Sequence, residues 1–166
     1  MFISKVDVRI YMKLIQAMPS MPKPVTEAEV EKFLESKLNI QLATIDDEGY
    51  PNVQPVWFLY ENGRLYTGTQ KATKKVQNIR KNPDKIYFSI DDENFPYKGV
   101  KGRGSAAISE DVQRNLQVVE KINLKYLGTQ EHPLAKMLAD NTKNGTEVVI
   151  EITPKFFSAW DFSKGM

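Results

Sequence analysis

The hydrophobic period of this chain changes at Asn39, and that change limits the fold more than any other feature. Before it, Val30, Phe33, Leu34 and Leu38 recur at helical spacing. After it, Ile40, Leu42 and Thr44 alternate with Gln41, Ala43 and Ile45, the period of a strand. Asp46-Asp47-Glu48-Gly49-Tyr50-Pro51 supplies a tight turn, and Asn52 to Tyr60 returns as a second strand. Pro55 lacks the N–H that a ladder needs, so this strand is expected to have a free edge or a bulge there. Glu61-Asn62-Gly63 turns the chain into a third strand over Arg64 to Thr69. Strands in succession joined by short turns define an antiparallel meander.

Further strands are expected over Lys85 to Asp91, Tyr97 to Ile108 and Thr146 to Thr153. Gly99, Gly102 and Gly104 let the long strand bend, as a barrel corner requires, or let a ligand approach its backbone. Helices flank these strands. Thr26 and Glu29 have the spacing of a capping box, and Val25 and Val30 that of a hydrophobic staple. Ser109 is positioned to cap a helix with Val112, Leu116, Val119, Ile122 and Tyr126 on its buried face, ended by Gly128. Pro133 opens a shorter one. The tail from Phe156 to Lys164 is rich in aromatic residues. The expectation is a mainly β protein: a six-stranded antiparallel split β-barrel with flanking helices.

Residues 1–24 read as an N-terminal arm and linker. Val6, Val8 and Ile10 alternate like a strand, Tyr11, Leu14, Ile15 and Met18 share one helical face, and Pro19, Pro22 and Pro24 break the chain. Residues 25–166 then form a single domain, in keeping with a chain of 166 residues. Several function classes drop out on composition. No cysteine is present, so thiolate metal sites, disulfides and a cysteine nucleophile are excluded. The single histidine, His132, rules out a multi-histidine metal site and is expected to be an ordinary loop residue. A net charge of +2 gives no bulk attraction to nucleic acid. No apolar run has the length of a membrane span, and the N-terminus has no signal-peptide h-region, so a cytoplasmic protein is expected. Chemistry in such a chain falls to a cofactor.

The stretch Thr67 to Pro83 is where a cofactor would bind. A strand ending in Thr67, Gly68 and Thr69 leads into a helix that opens with Thr73-Lys74-Lys75. A helix start offers free N–H groups and the positive end of its dipole, and hydroxyls and ammonium groups added there make a phosphate cradle. Lys71, Arg80, Lys81 and Lys85 extend the basic run, and Arg80, Lys81 and Lys85 read as surface charge.

These elements and their turn residues resemble the flavin-binding split-barrel family of pyridoxamine-phosphate-oxidase-like proteins. The resemblance is carried by Leu42-Ala43-Thr44-Ile45-Asp46, Gly49 to Phe58, Leu65 to Thr69, Thr73 to Pro83 and Val100 to Gly104, in that order. It implies a homodimer with the cofactor in a groove between two barrels. Thr73, Lys74 and Lys75 would hold its phosphate, with Asn78 supporting the helix start. Gln54, Pro55, Val56 and Trp57 would lie beside the ring, and Thr67, Gly68 and Thr69 along the ribityl chain. Trp160 of a second subunit would close over the ring. The oxidase proper carries Arg-x-x-x-Leu-Lys on its second strand and a C-terminal Arg-x-His. This chain has neither, and no arginine follows Arg114. The resemblance therefore implies another member of the family: an oxidoreductase moving a hydride between FMN and a small organic substrate. The deazaflavin coenzyme F420 is the alternative cofactor, and a flavin carrier or redox or stress sensor the alternative role. A single-stranded nucleic-acid barrel using Trp57 and Tyr60 is the remote alternative.

Overall fold

The alternation that begins at Ile40 becomes a curved sheet whose inner face is filled by Ile40, Leu42, Leu65, Phe88, Ile90, Ile150 and Ile152, all buried. A computed structural model describes residues 12–166 of the chain. The alternation at Val6, Val8 and Ile10 lies outside the described residues. The elements run β1 (Leu14–Gln16), α1 (Glu27–Leu34), β2 (Ile40–Ile45), β3 (Pro51–Val56), β4 (Leu59–Glu61), β5 (Arg64–Gln70) and α2 (Lys74–Lys81). They continue with β6 (Ile86–Asp92), β7 (Lys98–Ser109), α3 (Val112–Leu127), α4 (Pro133–Lys143) and β8 (Glu147–Asp161).

The sheet has eight strands among the described residues, not six. Leu14–Gln16, expected on a helical face, instead pairs in parallel with Phe157–Ala159 of β8. The strand expected over Asn52 to Tyr60 is two strands, β3 and β4, separated by Trp57 and Phe58. The strand after Thr146 does not stop at Thr153. It runs on through the aromatic tail to Asp161, and Pro154, which has no N–H to donate, falls where the β7–β8 register shifts. The glycines of β7 serve close approach of β8: a Cβ on Gly104 would stand 2.1 Å from the Thr153 carbonyl oxygen.

The strand order is β3-β2-β6-β7-β8-β5-β4. Its two outermost strands, β3 and β4, are neighbours in sequence. The sheet therefore curls almost into a closed barrel but stays open between them, and Pro55 lies on the resulting free edge, where its missing N–H costs nothing.

The helices hold this shape. α1 carries the expected capping box and sends Val30 and Leu34 into the core. α3 packs across the outside of β5 and β8, with Val118, Val119 and Ile122 against Tyr66 and Val149. Its N-cap is Asp111 rather than Ser109, because β7 continues through Ser109. His132 caps α4, its Nδ1 accepting from the Leu134 N–H at 3.1 Å.

The far end of α3 seizes the link between β3 and β4. The Tyr126 hydroxyl accepts from the Phe58 N–H at 3.1 Å and donates to the Leu38 carbonyl at 2.7 Å. The Lys125 ammonium donates to the carbonyls of Phe58 at 3.0 Å and Leu34 at 3.1 Å, and lies 3.7 Å above the Phe58 ring. Burial brings the Lys125 pKa down to about 8, while Glu35 pulls the other way. Trp57 stacks flat on Tyr126, ring centroids 4.7 Å apart.

Tyr126→Phe keeps the stacking ring but strands the Phe58 N–H and the Leu38 carbonyl. Urea unfolding should show a loss of about 1–3 kcal/mol with an unchanged slope.

Candidate functional site

The opening of the barrel is also where its polar interior lies. β4 pairs only with Arg64–Tyr66, so among the described residues Thr67–Gln70 of β5 have no strand on that side. Among the same residues, β3 likewise has no partner beyond β2. The two lips of the split are thus Pro51–Val56 and Thr67–Gln70. Three residues beyond the second lip, α2 begins and plugs that end of the barrel with Val76 and Ile79.

The side chains facing inward change character along the strands. Leu42 gives way to Thr44 on β2, and Leu65 to Thr67 and Thr69 on β5, all buried. Lys75 and Asn78 of α2 complete this polar layer. Lys75 is only 8% exposed, and its ammonium donates to Gln54 Oε1 at 2.9 Å, linking the helix start to the first lip. Burial holds the Lys75 pKa below the usual lysine range, with the carboxylate of Glu147 opposing the shift. Burial likewise raises the Glu147 pKa, with Lys75 pulling it back. Asn78 donates to Thr44 Oγ1 at 3.0 Å and pins α2 to β2.

The helix start is left open for an acceptor. Thr73 is at the N-cap, but its hydroxyl donates back to the Gln70 carbonyl at 2.9 Å and makes no cap bond. The first N–H groups of α2 have no acceptor within the helix. Thr69 and Thr73 hydroxyl oxygens lie 3.4 Å apart beside them.

The other basic residues point away. Lys74 and Lys81 both pair with Asp47, and Lys71 and Arg80 both pair with Glu110, at exposed positions where such pairs contribute little. These partners lower the Asp47 and Glu110 pKa values, with Lys81 and Lys71 the respective largest causes.

The structure thus brings together Gln54, Thr67, Thr69, Thr73, Lys75 and Asn78. Lys74 stands outside the layer in its pair with Asp47. Pro55 faces outward on the free edge, and Val56 packs on the core. Gly68 faces outward beneath α3, where a Cβ would meet Val119 Cγ2 at 3.4 Å. Trp57 lies under Tyr126 and, with Glu147, borders a cavity of about 50 Å³ behind Gly68. Trp160 is elsewhere: it sits opposite Gly99 near the end of β8, beside α1, whereas α2 lies at the Thr44–Ile45 end of β2. Sequence reasoning passed over two members of the cluster. Thr44, a hydroxyl on an otherwise apolar strand face, was a readable signal. Glu147, one acid in an alternating strand, was not.

A fold of this form has known counterparts. The family model described as pyridoxamine 5'-phosphate oxidase matches residues 26–161. The chain belongs to this family. No functionally curated protein matches it. Among solved structures, it is similar to the conserved hypothetical protein Rv2991 from Mycobacterium tuberculosis, with TM-score 0.73 and 26% identity over 84% of this chain and 87% of that one. It is also similar to an F420 reductase, with TM-score 0.63 and 29% identity over 77% and 94% of the two chains. An FAD-binding protein from Mesorhizobium loti shares the fold at TM-score 0.60 and 21% identity, over 81% and 94%.

Thr44→Val removes the hydroxyl that Asn78 donates to while preserving shape. Because Asn78 Oδ1 is already buried without a partner among the described residues, the variant should lose about 1–3 kcal/mol of unfolding free energy, measured by urea titration.

Proposed function

We propose that the split holds the phosphate tail and ring of a flavin-type cofactor, and that the protein is an oxidoreductase passing a hydride between that ring and a small organic substrate. The reading rests chiefly on one observation: a buried lysine at an uncapped helix start, facing into an open barrel seam. A phosphate group needs a cation, N–H donors and hydroxyls converging on one point. Lys75, the first N–H groups of α2, Thr69 and Thr73 are of that chemistry.

Each lip would serve a different part of the cofactor. The unpaired edges at Gln54–Val56 and Thr67–Thr69 offer backbone groups to the polar rim of a flat heteroaromatic ring. Gln54, already held by Lys75, fixes the first lip relative to the phosphate end. The Trp57–Tyr126 stack closes the seam behind the ring and keeps water from that side. The bound ring itself supplies the atom that takes up or gives the hydride. FMN is the leading cofactor, and coenzyme F420 the alternative favoured by the likeness to an F420 reductase.

The same reading includes a homodimer. Val53, Ala43 and Tyr87 stand in register across β3, β2 and β6 on the outer face, and Val53 and Tyr87 are exposed. A second copy would cover this apolar row, and Trp160 would reach the ring only from that copy.

Three measurements test the reading. Purified protein titrated with FMN or coenzyme F420 should take up one of them, identified by its absorption and emission. Uptake of neither would overturn the proposal. Lys75→Ala should weaken that binding by about 1–3 kcal/mol. The protonated lysine binds phosphate, so affinity of the unmodified protein should fall as pH rises, beginning below the ordinary lysine pKa of about 10.4, and Lys75→Ala should lack that decline. Light scattering should give a dimer, and an intact monomer that still holds cofactor would refute the shared groove.

A further inference from the structure

Lys75 and Glu147 are the two charged residues that are buried among the described residues, at 8% and 7% exposure. Both are anchored at one point of the fold. Glu147 opens β8 and stands opposite Gln70, the last pair of the β5–β8 ladder. The Gln70 carbonyl accepts from the N–H and the hydroxyl of Thr73, which turns the chain into α2 and brings in Lys75 two residues later. We propose that Glu147 is a positioning residue of the split: the counter-charge that keeps Lys75 protonated while the split is empty, and whose place an anion at the α2 start takes over. The second half of this assignment rests on the reading of Lys75 as the cation that binds a phosphate.

Among the described residues, neither charge has another counter-ion. The Lys75 ammonium donates to a neutral amide, Gln54 Oε1, and Lys75 is the one charge that acts on the Glu147 carboxylate. Glu147 borders the cavity of about 50 Å³ whose other walls are Trp57, Gly68, Val119, Ile122, Asn123 and Leu138, none of them charged. The cations and acids around this point are engaged elsewhere. Lys71 and Arg80 pair with Glu110, Lys74 and Lys81 with Asp47, and Lys143 of α4 with Asp140. Burial lowers the Lys75 pKa and raises that of Glu147, and each group opposes the shift of the other.

The physical consequence concerns both groups. A buried ammonium with no negative charge near it sheds its proton, and a neutral amine is a poor partner for an anion. Glu147 offsets that loss without bonding to the lysine. An ammonium has three donors, and Gln54 takes one of them. A phosphate at the others supplies the negative charge that Glu147 had supplied, and it repels the carboxylate. Glu147 then binds its proton at a higher pH than in the empty protein. Anion binding and protonation of Glu147 are thereby coupled, and such a coupling is reciprocal.

The test uses the full-length protein, with the Lys75 side-chain amine and the Glu147 carboxyl carbon followed by NMR through a pH titration. In the empty protein, Glu147→Gln should lower the midpoint at which Lys75 loses its proton, and Lys75→Met should raise the midpoint of Glu147. The two shifts should be equal, because they measure one interaction, and about half a pH unit or more. A purely structural role for Glu147 would leave the Lys75 midpoint where it is. FMN or coenzyme F420, whichever the protein takes up, should then move the Glu147 midpoint of the unmodified protein upward. Unmoved midpoints in the two variants, unequal shifts, or a Glu147 midpoint that bound cofactor leaves in place would overturn the proposal. Uptake of neither cofactor would overturn the reading of the split and with it the exchange for an anion, while the titrations of the empty protein decide the pairing by themselves.

Discussion

The grip of Lys125 and Tyr126 on the Trp57–Phe58 link is the constraint from which the rest of the architecture follows. Phe58 sits fully buried where one end of the sheet meets the other, and its N–H and carbonyl have no strand to pair with. A buried peptide group without partners is costly, so it must be satisfied from outside the sheet. The phenol and the ammonium at the end of α3 do this, and they reach at the same time to the carbonyls of Leu38 and Leu34. One turn of helix thereby ties the seam of the barrel to α1. The seam can stay open because its base is clamped.

An open seam has a consequence for the interior. A closed barrel would be filled by apolar side chains throughout. Here the inner face turns polar toward α2, with Thr44, Thr67, Thr69, Asn78 and Lys75 buried together. A lysine in such a place loses hydration and keeps one hydrogen bond, to Gln54. This arrangement costs stability, and it leaves positive charge aimed at a gap between two unpaired strand edges. The surface pairs made by Lys71, Lys74, Arg80 and Lys81 set those residues apart from the buried Lys75, although all five share one short stretch of sequence.

Much of this was legible in local patterns. The period change at Asn39, the capping box at Thr26 and Glu29, and the free edge at Pro55 each rest on a short-range rule, and each is present in the structure. The failures have a common cause in long-range pairing. Leu14–Gln16 is a strand because β8 lies beside it, and nothing within three residues can signal that. The aromatic tail is a strand because β7 offers it a ladder as far as Lys98, despite Pro154. Ser109 loses its cap role to Asp111 because the same ladder carries β7 two residues further than its pattern implied.

The sequence by itself determined the class of the fold and most of the order of its elements. These depend on periodicity, turn chemistry and residue type, which act over a few positions along the chain. Only the tertiary structure decided which lysine faces inward, that Gln54 meets it, that Thr44 anchors Asn78, and that Trp160 lies at the other end of the barrel. Lys74 and Lys75 are adjacent and chemically identical. One pairs with Asp47 at the surface and the other is buried against Gln54, because successive positions on a helix point about 100° apart and only one of the two directions leads into the barrel.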